Sequence, residues 1–136
     1  MPASNNLIVT LNLAVSAVKK LLFIISKPPY ANKRNAELFD AALVAAAFDC
    51  EVSLLFRDEG VWSLLPEQLT HTIGQRSIAK MLLGLSDYDI DKLYVCRESL
   101  QRRGLQDTFE LPASPIGFAA QQQLIASQAA VIGTGP

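Results

Sequence analysis

The sequence predicts an α/β fold: a single-domain, doubly wound, mainly parallel five-stranded sheet with helices on both faces. Three observations carry this. Short apolar runs such as Leu21–Ser26 (LLFIIS) are hydrophobic on both faces, as a strand covered on both sides requires. Stretches with apolar residues at helical spacing separate them. The 136 residues, half of them apolar, amount to one domain with enough chain for one real core.

The elements follow in order. Leu21–Ser26 is the first strand, ended by Pro28 and Pro29, which cannot donate to a ladder. From Arg34 to Phe48, Leu38, Ala42 and Ala45 form one stripe and Phe39, Leu43 and Ala46 another, with Asn32 as the cap. Cys50–Phe56 is the second strand. Arg57–Gln75 holds Gly60, Pro66 and Gly74 without a long periodic element, and reads as a long loop of the functional or interfacial kind. Ile78, Met81, Leu82 and Leu85 then mark a further helical period. Leu93–Cys96 is a strand, followed by a short helix over about 98–103 that stops at Gly104. Phe109–Leu111 is a candidate short strand. Ser114 as cap and Pro115 at the first helical position open a last helix to about Ser127. Ala130–Ile132 closes the sheet.

Residues 1–18 stand apart from the domain at 19–136. Leu7–Val18 is too short to span a bilayer, and no positive charge precedes it as a signal peptide needs. Leu7, Val9, Leu11 and Leu13 alternate with Ile8, Thr10 and Asn12, the period of a half-buried strand. The segment reads either as an extension that pairs or packs on something, a partner chain included, or as residues upstream of a start at Val18.

Charge and cysteine usage narrow the function classes. Twelve Lys plus Arg against thirteen Asp plus Glu leave no basic excess of the kind that binds nucleic acid directly. Two cysteines, Cys50 and Cys96, are too few for a stapled secreted domain, so reduced thiols in a cytoplasmic protein are expected. No membrane partner is expected.

In doubly wound sheets, sites lie beyond the carboxyl ends of the strands. Three loops qualify: Lys27–Tyr30, Arg57–Val61, and Cys96 with the residues just after it. The first contains no glycine, so a phosphate cradle and a nucleotide cofactor are disfavoured. Cys96 ends a strand and precedes a helix, where backbone N–H groups favour a thiolate; Arg97, Arg102 and Arg103 would add to that and Glu98 would oppose it. The competing reading is a buried small hydrophobe. Cys50 begins its strand, at the end away from chemistry. His71 alone supplies no metal set. Asp87, Asp89, Asp91 and Glu98 mimic a calcium-loop spacing, but Lys92 stands where the loop needs glycine. Neither a metal nor a cofactor is expected. Tyr30, Val61, Trp62, Leu64 and Leu65 are interface candidates; Trp62 serves equally as core or as an anchor.

Taken in order, Lys27-Pro28-Pro29-Tyr30, Ala46-Ala47-Phe48-Asp49, Leu55-Phe56-Arg57-Asp58-Glu59-Gly60-Val61, Leu83-Gly84-Leu85, Tyr88-Asp89-Ile90, Tyr94-Val95-Cys96, Ser99-Leu100 and Arg103-Gly104-Leu105 resemble the TusC/DsrF branch of the DsrE-like family. Each motif is weak; the ordered set is specific, and it covers about residues 19–132. Arg34 and Asn35 depart from the small or acidic residues common there, which alters the adjoining surface.

The resemblance implies a subunit of a cytoplasmic sulfur-relay complex. Its partners would be homologous B/H-type and D/E-type subunits in a heterohexamer, and a TusE/DsrC-type sulfur acceptor reached through the complex. The destination would be tRNA wobble-uridine 2-thiolation in the Tus branch and intracellular sulfur oxidation in the Dsr branch; the short core looks more TusC-like. The family places its sulfur-carrying cysteine on the D/E-type subunit, in a Val-Cys segment before a helix ending Arg-Gly. Val95-Cys96 and Arg103-Gly104 match that layout, which makes Cys96 the equivalent position, although the C/F-type subunit is regarded as structural. A structural subunit is therefore favoured over a sulfur carrier acting through Cys96, or over a free-standing small-molecule-binding domain.

Overall fold

A computed structural model describes residues 19–29, 34–64, 84–105 and 112–133. Five strands build one sheet: β1 (Lys20–Ile25), β2 (Glu51–Phe56), β3 (Lys92–Cys96), β4 (Ala113–Ile116) and β5 (Ala130–Gly133). Their order across the sheet is β4-β3-β2-β1-β5, and every pairing is parallel. The chain steps outward from β1 to β4, then returns to place β5 on β1's other edge. This reversal is what winds the fold in two directions and puts helices on opposite faces.

The helices are α1 (Arg34–Ala47), α2 (Arg97–Arg102) and α3 (Phe118–Ala126), with 3₁₀ segments at Asp58–Leu64 and Gly84–Tyr88. Alternation along the strands divides the core. Phe23, Ile25, Leu54, Phe56, Leu93 and Val95 face α1, where Leu38, Phe39 and Ala42 meet Val61, Leu64, Leu85 and Leu100. Leu22, Ile24 and Leu55 face the other way, onto Leu124 and Ile125 of α3 with Tyr94 and Ile116. The first face holds most of the buried apolar side chains. The second is thinner because one nine-residue helix covers it among the described residues.

Most expected elements stand within a residue or two of their places. Lys20 joins β1, Cys50 falls outside β2, Phe48 falls outside α1, and Gly133 joins β5. One expectation is corrected. Ser114 and Pro115 do not open the last helix; they lie inside β4, and α3 starts at Phe118 with Gly117 as its N-cap. Ser-Pro suits a helix start locally, but β4 is an edge strand, where a residue without an N–H is tolerated. The start of the long loop is also more ordered than expected, since Asp58–Leu64 forms a 3₁₀ segment sunk into the core. The cap Asn32, the helical period at 78–82 and the strand at 109–111 lie outside the described residues, as does the extension 1–18.

Three element ends share one device. Cys50 N–H donates to the Ala45 carbonyl and Asp49 N–H to Ala46; Ile90 donates to Leu85 and Asp89 to Ser86; Leu105 donates to Leu100 and Gly104 to Gln101. Each is the paired closure that needs a left-handed residue, and Asp49, Asp89 and Gly104 supply φ of 65°, 62° and 66°. Glycine was the expected stop at only one of these.

Candidate functional site

The carboxyl ends of β2 and β3 bring together the loop at Arg57–Gly60, Cys96 and the start of α2. Cys96 is both the last residue of β3 and the N-cap of α2, in extended conformation at φ −70° and ψ 117°. Its Sγ accepts the Ser99 N–H at 3.4 Å, and its S–H donates to Glu98 Oε1 at 3.6 Å. The residue is 1% exposed. A sulfur in this position satisfies a backbone donor at a helix start, the work usually done by a Ser or Asp oxygen.

Arg97 and Arg103 are engaged away from the sulfur. Arg97 Nη2 donates to the Pro115 carbonyl at 3.2 Å, tying α2 to β4. Arg103 Nε and Nη2 both donate to Glu59 Oε1, at 3.0 and 2.6 Å, and its Nη1 donates to the Ser99 carbonyl at 3.1 Å. The Trp62 indole N–H donates to Glu59 Oε2 at 2.8 Å. The Arg103 hydrogen bonds hold the Glu59 carboxyl below the ordinary glutamate range, opposed by partial burial and helped by Trp62.

Ser99 is the hub. Its Oγ accepts the Asp58 N–H at 2.9 Å, its N–H caps onto Cys96, and its carbonyl takes Arg103. Asp58 has a φ of 52°, and that left-handed step turns the chain out of β2. Gly60 then passes so close beneath β1 that a Cβ would lie 1.9 Å from the Ile25 carbonyl oxygen. Gly117 leaves space for Glu98, whose Oε2 would lie 3.3 Å from a Cβ there. At the end of β1, buried Asn35 donates from Nδ2 to the carbonyls of Lys27 and Pro28 at 3.0 and 3.2 Å, bracing the loop on the start of α1.

Of the interface candidates, Val61 and Leu64 lie in the core, 0% and 2% exposed. They are drawn in because the 3₁₀ segment turns its apolar side onto α1's face of the sheet. Trp62 is half-buried and bonded to Glu59. Tyr30, Leu65 and His71 lie outside the described residues. Cys50 is half-buried at the far end of the sheet from Cys96 and packs against the core. Among the described residues no cluster of His, Cys, Asp and Glu could hold a metal ion, and no helix is long and apolar enough to cross a membrane.

Sequence reasoning found Cys96 and the loops but missed Ser99, Asn35 and the Glu59–Arg103 pair. The signal for that pair was opposite charge on the segment just after β2 and at the end of the helix that follows β3.

Residues 19–133 match the DsrE/DsrF-like family, and the chain belongs to it. It is 39% identical over 88 residues to the intracellular sulfur oxidation protein DsrF of Allochromatium vinosum, which covers 65% of each chain. With protein TusC of Escherichia fergusonii the identity is 32% over 112 residues, 81% of this chain and 94% of that one. The crystal structure of the ychN protein from E. coli superposes with a TM-score of 0.74 over 85% of this chain and 99% of that chain; at 15% identity this likeness concerns the fold alone.

Proposed function

We propose that the chain is a mainly structural, interface-forming subunit of a cytoplasmic sulfurtransferase complex, supporting persulfide sulfur transfer toward tRNA wobble-uridine 2-thiolation. Its partners in this reading are homologous B/H-type and D/E-type subunits in a heterohexamer, with a TusE/DsrC-type protein as the acceptor reached through the complex. Membership of the DsrE/DsrF-like family supports the sulfur-relay class. The near-even charge favours contact with tRNA only through protein partners.

The observation that carries the structural role is the state of Cys96. A sulfur carrier needs a thiolate open to an incoming persulfide. Here the residue is 1% exposed, and its sulfur caps α2 while its S–H donates to Glu98. Those contacts suit a cysteine that holds β3 to α2.

A second reading is supported by the relative named as an intracellular sulfur oxidation protein, a DsrF-like subunit serving sulfur oxidation. The test is co-expression with the neighbouring homologous subunits, sizing of the product, and assay of sulfur transfer with wild-type and Cys96→Ser chains. Assembly and unchanged transfer are expected. A chain that never enters a hetero-oligomer sinks the complex reading. Stoichiometric extra sulfur on Cys96 that passes to a partner protein replaces the structural role with a carrier role. Restored tRNA 2-thiolation in cells lacking their own TusC separates the Tus reading from the Dsr reading.

A further inference from the structure

Two aromatic side chains stand open at the amino end of the sheet, the end opposite Cys96. Phe48 is 78% exposed and Tyr88 50%. Both follow from the same closure, since each is the residue just before a left-handed aspartate, Asp49 or Asp89. Phe48 lies between α1 and β2, and Tyr88 ends the 3₁₀ segment that leads into β3. β2 and β3 are adjacent strands, with Ser53 in register with Lys92. α1 and the 3₁₀ segment lie on one face of the sheet, where Leu85 shares a cluster with Leu38, Phe39 and Ala42. The two rings therefore belong to one end of one face. Val44, four residues before Phe48 and also exposed, extends the apolar ground along α1.

Single exposed apolar residues are ordinary on a protein surface. Two aromatics gathered at neighbouring strand ends are less so, and at 78% exposure Phe48 contributes little to the core of its own chain.

Charge decides what such a face would meet. Asp49, Asp87, Asp89 and Asp91 flank the two aromatics in the chain and are all exposed. Lys20 and Lys92 at the same end are drawn onto Glu51, which leaves Lys19 as the other cation there among the described residues. Every arginine among the described residues stands at the opposite end. Arg34 opens α1, Arg57 follows β2, and Arg97, Arg102 and Arg103 lie in α2 and its cap. An acidic aromatic face suits a partner surface that presents arginine, because a guanidinium lies over a ring and also bonds a carboxylate. The same carboxylates repel phosphate backbones and anionic lipid. A chain of this fold has a place for such an arginine surface, since this one collects its own beyond the carboxyl ends of its strands.

We infer that the amino-end face around Phe48 and Tyr88 docks an arginine-bearing surface of a homologous subunit. The inference rests on the complex reading above and adds to it which face meets the partner and by what chemistry. Phe48 and Tyr88 form the desolvated centre and the aspartates form the polar rim, the usual division of a protein interface.

The test uses the full chain co-expressed with the neighbouring homologous subunits. The photoreactive p-benzoylphenylalanine, placed at Phe48, should crosslink to a partner subunit within an arginine-containing peptide. A Phe48→Ser, Tyr88→Ser double variant should weaken assembly at least about tenfold while the circular dichroism of the isolated chain is unchanged. An Asp87→Asn, Asp91→Asn variant should weaken assembly about threefold and make it less sensitive to salt. The crosslinker keeps an aromatic ring at position 48, so its reading stands even where the double variant is unstable. Assembly of the aromatic variant equal to wild type overturns the inference and leaves the complex reading in place. Crosslinks within the same chain, to RNA, or to a partner peptide without arginine overturn it as well. A wild-type chain that never assembles removes the complex reading, and the inference falls with it.

Discussion

Arg103 closes on Glu59 with two nitrogens on one carboxylate oxygen, Nε at 3.0 Å and Nη2 at 2.6 Å, across 44 residues of sequence. The contact pins the loop after β2 to the end of α2, next to the cap formed by Cys96. Arginine's planar fork suits this two-nitrogen grip. The carboxylate is half exposed, so screening by water limits its worth to about 1 kcal/mol or less.

That pair makes stability depend on pH in a stated direction. Arg103 depresses the Glu59 carboxyl in the folded chain, so the folded state binds its proton less readily than the unfolded state does. The stabilisation is fully present above the ordinary glutamate value of 4.5 and is lost as pH falls through the depressed folded value. Urea unfolding should therefore show Glu59→Gln less stable than wild type at pH 7, with the gap shrinking below pH 4.5. A gap independent of pH would mean that the side chain acts through packing alone.

Cys96→Ser should leave the cap working, because a serine oxygen accepts the Ser99 N–H as sulfur does. Cys96→Ala removes the acceptor and should cost about 1–2 kcal/mol. Thermal and urea unfolding of the two variants check the order, with alanine the less stable.

Gly60→Ala should be strongly destabilising. The obstacle is backbone, the Ile25 carbonyl oxygen, which also accepts the Arg57 N–H at 3.0 Å and cannot move aside without breaking that bond. Overpacking of this kind costs about 1–3 kcal/mol. Equilibrium unfolding with unchanged far-ultraviolet circular dichroism is the measurement; stability equal to wild type would show that the loop is not seated as described.

Asp49→Gly should stabilise the chain by about 0.5–1 kcal/mol, since glycine takes the left-handed conformation at Asp49 without the Cβ penalty. The same change at Asp89 should act in the same direction. Urea midpoints of the single and double variants read this, and near-additivity is expected because the two ends are separate turns.

Much of the fold was legible because it rests on local periods. The two-faced runs at β1 and β2, the stripes of α1 and the Gly104 stop each follow from residues within a few positions of one another. Ser114-Pro115 misled for the same reason. As a local signal the pair opens a helix, and only β4's place at the sheet edge makes strand acceptable there. At Asp49 and Asp89 the chain uses aspartate where glycine is the usual mark, so those closures were not visible either.

The sequence alone determined the class of fold, the strand–helix order, the family resemblance and the position of Cys96 at a strand's carboxyl end. Tertiary structure decided what surrounds that position. Ser99 meets Asp58 across 41 residues, and Glu59 meets Arg103 across 44, contacts that no spacing rule announces. Val61 and Leu64 read as interface candidates in the sequence; the turn at Asp58 sends both into the core. A sequence records which side chains can bury or bond, whereas partners far apart in the chain are chosen by the parallel sheet that brings its strand ends together. That choice set Cys96 at the start of α2, buried, with its sulfur on the Ser99 N–H.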